Sequence, residues 1–414
     1  MKKKIISFIL LLAVAINISA CTLTISAENL MSGVNPESVK ALDSLDEYNA
    51  AVSDFALRLL SATEKSGENT FISPISVLAA LSMTANGAAG TTLEEMESVL
   101  GLTKDQLNLY MYTYLNSLPQ GNKYKLSVAN SIWFKDDPNL TVNHSFLQKN
   151  ANYYGAEIYK APFNDKTKRD INNWVKRETD GMISKVVDKI QSDAIMYLIN
   201  TLAFEAEWQS IYENYQVRDG IFTTESGEKQ NADFMYATEG SYIYDDNATG
   251  FIKYYKGAKY AFASLLPNEG ITVTEYLSTL NGEELKSMLN TPTHTIVRTS
   301  IPKFKTEYEV EMSEILSDMG MPTAFDVFSA DFSDIGSYKE QNIYIGSVLH
   351  KTYIEVAEKG TKAGAVTVVQ MNGGSAEPPE EPKEVYLDRP FVYMIIDCEN
   401  NIPLFIGTMN DIEK

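Results

Sequence analysis

The sequence predicts an α+β fold in which helices pack on large, mostly antiparallel sheets. Three observations carry that prediction. Residues 195–204 are almost continuously apolar, the pattern of a strand at the centre of a covered sheet. Residues 75–83 are apolar nearly all round a helical projection, through Ile75, Val77, Leu78, Ala79, Ala80, Leu81 and Met83, so this helix is expected to be buried on every side. Helical and strand-like stretches are interspersed along the chain, with residues 220–267 mostly strand-like and no linker, repeat or low-complexity block between them.

Taken in order, residues 46–60 have helical spacing in Val52, Phe55, Ala56 and Leu59. Ser73 or Ser76 can cap the next helix, with Pro74 in its permitted first turn, and Gly87 and Gly90 end it. Thr92 with Glu95 fits a capping box for a short third helix ending at Gly101. A polar helix, a strand at 126–134 and helices near 142–153 and 170–179 precede the apolar strand 195–204. Beyond residue 267 come one helix over 274–289, more strands to 310, and a short helix to Gly320. Residues 344–356 are rich in β-branched and aromatic side chains, as a strand requires, and the last hairpin joins 391–396 to 404–407 through Glu399, Asn400 and Asn401.

The stretch 356–369 is the unusual one. Every second residue from Thr361 gives Thr361, Ala363, Ala365, Thr367, Val369 and Met371, while the intervening set is Lys362, Gly364, Val366, Val368 and Gln370. One face is small and neutral and the other carries the charge, which suits a half-buried strand. Yet the stretch runs without a turn signal into 372–382, whose glycines and prolines suit an exposed loop. It reads as loop or strand.

These residues resemble the hinge of the serpin family, in which Glu358, Gly360, Thr361, Ala363, Gly364, Ala365 and Thr367 match in order. Residues 71–92 resemble the family's first long internal helix and 129–134 one of its strands. Residues 171–183, 198–208, 301–310 and the terminal hairpin match in sequence, so the resemblance covers roughly 45–410. It implies one large domain over 45–414 with about eight to nine helices on mostly antiparallel sheets, and a reactive-centre loop near 358–388. Ser73, Ser76, Asn200 and His350 match the polar cluster beneath the centre of the main sheet, the shutter, whose hydrogen bonds help control whether the sheet opens. Trp208 matches the position where the loop first enters.

The first residues bear on the compartment. Lys2, Lys3 and Lys4 precede an apolar run at 5–16 that is too short to span a membrane and right for a signal peptide over 1–20. Ile18, Ser19, Ala20 and Cys21 resemble a bacterial lipobox, which implies lipidation of Cys21 and a polar tether over 21–44 holding the domain off the membrane. The alternative is ordinary signal cleavage, for example after Ala27, with Cys21 lost. Either way export to the cell surface or medium is expected, Cys398 is left single, and a buried, inert thiol is expected there.

Composition narrows the function. A hydrophobic content of 44% with 11% aromatics excludes a disordered chain, and a net charge of −20 makes nucleic acid a poor partner. The three histidines, His144, His294 and His350, sit in no H-E-x-x-H pattern, and C-x-x-C, G-x-S-x-G and P-loop motifs are missing. Ser226 to Lys229 matches a minimal S-x-x-K pattern in a turn, without its companion motif. His350 on an apolar strand reads as a satisfied core residue or, less simply, a general base without a nucleophile. No cofactor or metal is expected, and no enzyme activity.

The resemblance implies a monomeric inhibitor that a serine protease attacks as a substrate. Cleavage of the loop and formation of the acyl-enzyme free the hinge to enter the main sheet as an extra strand, trapping the protease. Insertion bars proline before Pro378 and demands small, uncharged residues on the buried face, as the odd-numbered set provides. Counting from Gly360 places the reactive bond between Gly374 and Ser375, with Met371 and Asn372 as the alternative and a backward count from Pro390 reaching Pro379 and Glu380. Small side chains there suit elastase-like or subtilisin-like proteases. Thr361 is expected partly in water before cleavage, where a charge costs little. A non-inhibitory binding or chaperone-like role is the alternative. The chain departs from the family pattern in three places: Lys362 where glutamate is commoner, Glu205 and Ala206 in place of a Lys-Gly pair before Trp208, and a loop between Gly360 and Pro390 several residues longer than in many members.

Overall fold

The apolar run at 195–204 lies at the centre of a seven-stranded sheet, where both faces are covered and no polar alternation is tolerated. The computed structural model describes residues 24–119, 121, 123–191, 194–339, 341–361 and 381–413. In chain order the strands of this sheet are β1 (Glu28–Asn29), β2 (Tyr124–Lys135), β3 (Glu157–Ala161), β4 (Met196–Glu207), β5 (Phe304–Glu311), β6 (Ser347–Ala357) and β7 (Gly360–Thr361). Across the sheet they run β1-β3-β2-β4-β7-β6-β5.

The pairing is uneven. β2 and β4 pair antiparallel over their whole length, from Tyr124 opposite Ala206 to Phe134 opposite Met196, and β5 and β6 pair from Phe304 opposite Val356 to Glu311 opposite Leu349. β4 and β6, by contrast, pair in parallel only from Tyr197 opposite Ser347 to Thr201 opposite Lys351. Above that point β7 sits between them, antiparallel to both, with Thr361 opposite Ala206 and Val356. Residues 202–205 of β4 and 352–355 of β6 are not paired with each other.

A nine-stranded sheet packs behind. Its main path runs Lys383–Tyr386, Thr293–Pro302, Lys229–Tyr244, Ala248–Tyr254, Tyr260–Pro267, Phe391–Asp397, Ile402–Met409 and Thr70–Ile72, with Val217–Thr223 paired to Lys229–Tyr244. The first of these joins Thr293–Pro302 in parallel. The Ser226–Lys229 motif spans the turn of a hairpin, where the Ser226 hydroxyl meets Thr224 and no general base.

Nine α-helices fall among the described residues: α1 (Asp46–Thr63), α2 (Pro74–Ala85), α3 (Gly90–Leu100), α4 (Lys104–Ser117), α5 (His144–Tyr154), α6 (Asp165–Glu178), α7 (Val273–Thr279), α8 (Gly282–Asn290) and α9 (Ser313–Asp318). Every residue of α2 is buried, as its uniform apolarity requires, and Ser73 caps it by accepting from the Ser76 amide. α6 carries a capping box from Asn164 and packs Ile171, Trp174 and Val175 against Trp133, Tyr159, Tyr197 and Ile199 of the large sheet.

Three expectations are corrected. Thr92 and Glu95 form no capping box, because α3 starts at Gly90; instead Thr92 accepts from the Asp331 amide (2.9 Å) and Glu95 from the Thr323 amide (3.0 Å), tying α3 to a distant loop. The single helix over 274–289 is two, α7 and α8, because Asn281 caps a new start and Gly282 packs so closely on α1 that a Cβ would lie 2.4 Å from the Ala50 carbonyl oxygen. The described part of the expected tether does not stand off the domain. β1 extends the large sheet, the Leu42 amide donates to Thr113 (2.9 Å), and Ile25, Ala27, Leu30, Met31, Val34 and Leu42 pack on the core. Those apolar side chains make docking favourable despite the polar residues between them.

Candidate functional site: a parted sheet and its hinge

Where β4 and β6 still touch, His350 stands opposite Asn200, and both are fully buried. The Ser73 amide donates to His350 Nε2 (3.0 Å), so the ring carries its proton on Nδ1, which faces Asn200 Oδ1. Burial drives the imidazole pKa down to about 3, so the ring is neutral at physiological pH. The Ser73 hydroxyl donates to the Leu404 carbonyl (2.8 Å), and one turn along β6 Thr352 donates to the Phe71 carbonyl. This cluster pins two sheet strands to the start of α2 and to the neighbouring strands Thr70–Ile72 and Ile402–Met409 of the sheet behind. Ser76 Oγ and Asn200 Nδ2 are buried there without a hydrogen-bond partner among the described residues. Since the Ser73 hydroxyl is committed to a carbonyl and His350 accepts from a backbone amide, no nucleophile–base pair exists at this point.

At the other end of β4, Trp208 and Tyr212 grip the chain as it leaves β6. Trp208 Nε1 donates to the Ala357 carbonyl (2.8 Å), its amide to Lys359 (2.9 Å), and the Tyr212 amide to Glu358 (2.9 Å). Lys303 pairs with Glu358 (2.9 Å) and Asp233 (3.3 Å), holding the Glu358 carboxyl below its ordinary range while its own ammonium is raised. Gly360 has φ +147°, and a Cβ there would lie 2.1 Å from the Ala206 carbonyl oxygen, so only glycine fits between the strands. Behind the grip, the buried Lys253 ammonium lies 4.4 Å from the Tyr212 ring and 5.4 Å from Trp208, paired with Glu239 at 2.7 Å.

Thr361 is 1% exposed, and its hydroxyl shares a 2.5 Å hydrogen bond with Tyr255, whose ring stacks on Trp208 at 4.4 Å. This corrects the expectation that Thr361 is partly in water before cleavage. Pairing to Ala206 and Val356 draws it into the sheet in the intact chain, so a charge at 361 would be desolvated there as well.

The structure thus brings Ser73, Ser76, Asn200 and His350 together, and separately gathers Glu358, Gly360, Thr361 and Trp208. Ala363, Gly364, Ala365, Thr367, Met371, Asn372, Gly374, Ser375 and Cys21 lie outside the described residues. Sequence reasoning missed Tyr255 and Tyr212, which meet the hinge across more than 100 residues, and the Lys253–Glu239 pair, which joins neighbouring strands behind them; none leaves a local pattern. Cys398 is partly exposed, with burial pushing its thiol up to about 12. Among the described residues no group of three His, Cys, Asp or Glu side chains could hold a metal ion.

The buried imidazole makes stability depend on pH. In the unfolded chain His350 titrates near 6.5, so below that pH the unfolded state binds a proton that the folded state refuses until about pH 3. Stability conferred by the neutral ring is present above pH 6.5 and falls by about 1.4 kcal/mol per unit through this window. Between pH 7.5 and 5.5, urea unfolding of the wild type should lose about 1.4 kcal/mol more than that of His350→Gln. An equal loss in both would remove His350 as the cause.

The profile of the family described as Serpin (serine protease inhibitor) matches residues 50–412. An uncharacterized serpin-like protein of Thermococcus kodakarensis is 29% identical over 366 residues, 87% of this chain and 84% of that protein. The native-state crystal structure of a thermophilic serpin, tengpin, is 44% identical with a TM-score of 0.88, covering 93% of this chain and 99% of that one. The latent state of tengpin is 43% identical over 91% of this chain and all of that one, with a TM-score of 0.78, so the arrangement of strands here is closer to the native form. With its fold, its parted sheet and its matched residues in agreement, the chain belongs to the serpin (serine protease inhibitor) family.

Proposed function

We infer that this chain, like members of its family generally, is a protease inhibitor rather than an enzyme. We propose that this protein inhibits serine proteases as a suicide substrate, working as a monomer, exported and anchored through a lipid on Cys21. The protease acylates itself on the loop, cleavage frees the hinge, and the hinge zips into the sheet between β4 and β6 before the acyl-enzyme is hydrolysed. The observation that carries the reading is β7: the hinge residues Gly360 and Thr361 already lie between the parted strands, with unpaired strand edges ahead of them.

Continuing the β7 register gives each later residue a place. Ala363 comes opposite Phe204 and Ile354, Ala365 opposite Leu202 and Thr352, and Thr367 opposite Asn200 and His350. The odd-numbered face enters where every neighbour is buried, and Thr367 arrives at the His350–Asn200 hydrogen bond, which must open together with the short ladder around it for the strands to part fully. On the other face Lys362 comes between Glu205 and Glu355. That placement accounts for Lys362 and Glu205 together, since the two strands supply carboxylates where this hinge supplies a cation.

Two outcomes follow. Incubation with an elastase-like protease should yield a complex that survives denaturant and release a C-terminal peptide beginning at Ser375; a peptide beginning at Asn372 or Glu380 would move the reactive bond, and clean cleavage with no complex would reject inhibition. Lys362→Glu should place three carboxylates together on insertion, slow zipping relative to deacylation, and raise several-fold the number of inhibitor molecules consumed per protease inactivated. Lys362→Arg should leave that number unchanged. If Lys362→Glu also leaves it unchanged, the inserting register is wrong.

A further inference from the structure

We propose that the outward face of α6 docks on anionic lipid headgroups, holding the domain side-on to the membrane. The described residues begin alongside α6. The Thr24 carbonyl accepts from Asn173 Nδ2 (3.2 Å) and the Ser26 hydroxyl donates to Asp170 (2.7 Å), so the described N-terminus lies along α6. Only Thr22 and Leu23 separate Thr24 from Cys21, a span of at most about 11 Å. A lipid at Cys21 therefore brings α6 within about one Debye length of the bilayer surface. The distance rests on the anchoring proposed above; the charge does not.

At 100° per residue Lys166, Arg169, Asn173 and Lys176 share an arc of about 80° on α6, opposite the buried Ile171, Trp174 and Val175. Lys166, Arg169 and Lys176 are exposed and form no ion pair among the described residues. The surrounding carboxylates are each committed elsewhere: Asp165 to Lys168 (3.2 Å), Glu157 and Glu178 to Arg177 (2.8 and 2.6 Å), Asp188 to Lys185, Asp180 to Lys125, and Asp170 to Ser26. In a chain of net charge −20 this is a cationic face beside the expected anchor. An anionic leaflet attracts it and repels the rest of the surface, which selects one orientation; each such cation strengthens surface binding about fivefold.

The test uses protein purified from the membranes of cells expressing the full chain. Mass measurement of its N-terminal peptide first reads whether Cys21 is lipidated. Reconstituted into vesicles of phosphatidylcholine mixed with phosphatidylglycerol, Lys166 and Lys176 should react with a water-soluble amine reagent at least about fivefold more slowly than in phosphatidylcholine alone. The exposed Lys229 should be unaffected, high salt should abolish the protection, and Arg169→Glu, which keeps both reporting lysines, should reduce the difference between vesicles; the triple variant Lys166→Glu, Arg169→Glu, Lys176→Glu is read by flotation instead. Equal rates in both vesicles, equal slowing of Lys229, or protection by soluble polyphosphate but not by vesicles would overturn the proposal. If Cys21 carries no lipid, the anchor fails separately. Flotation of the unanchored protein with the phosphatidylglycerol vesicles, lost in the triple variant, then supports the basic face, and no flotation overturns it.

Discussion

Five residue pairs between β4 and β6, from Tyr197 with Ser347 to Thr201 with Lys351, hold the large sheet closed, and the rest of the structure depends on how far that closure extends. A parallel pair this short carries few ladder hydrogen bonds, so the clasp is reinforced by side chains. His350 bonds to Asn200 across the strands and accepts from α2, while Ser73 and Thr352 bond to the sheet behind. Because the imidazole is neutral and fully buried, these bonds act in a medium of low polarity, where forming them counts for more and losing them leaves unsatisfied groups.

The upper end is built on opposite terms. There β7 keeps the strands apart, and the backbone around it is gripped by Trp208 and Tyr212 rather than by a continuous ladder. Gly360 permits the close approach, Thr361 fills the first interior position against Tyr255, and the Glu358–Lys303 pair fixes the chain as it turns. A sheet clasped below and wedged above has unpaired edges between. In the proposed function that middle is where stored stability lies, released only when cleavage lets the chain beyond Thr361 follow it in.

Much of this was legible in the sequence because it is local. The uniform apolarity of α2, the continuous apolar run of β4 and the small-residue alternation from Thr361 each state an environment directly. The polar residues at the clasp were legible only through family resemblance, since nothing in the spacing of Ser73, Asn200 and His350 joins them. The burial of Thr361 was missed because it is decided by Trp208 and Tyr255, brought alongside by the sheets. The docking of residues 25–42 was missed because polar residues separate its apolar anchors, and Thr92 with Glu95 misled because two side chains suited to a cap were used to hold a loop.

The most direct test of the account is the thermal unfolding of the intact protein beside the same protein cleaved once in the loop by a protease that it does not trap. If the middle of the sheet is an unfilled strand position, the cleaved form completes it, and its midpoint should rise by at least about 10 °C, equivalent to several kcal/mol for a chain of this size. A cleaved form that unfolds at the same temperature as the intact protein, or below it, would contradict the central claim that the hinge is poised to become a strand.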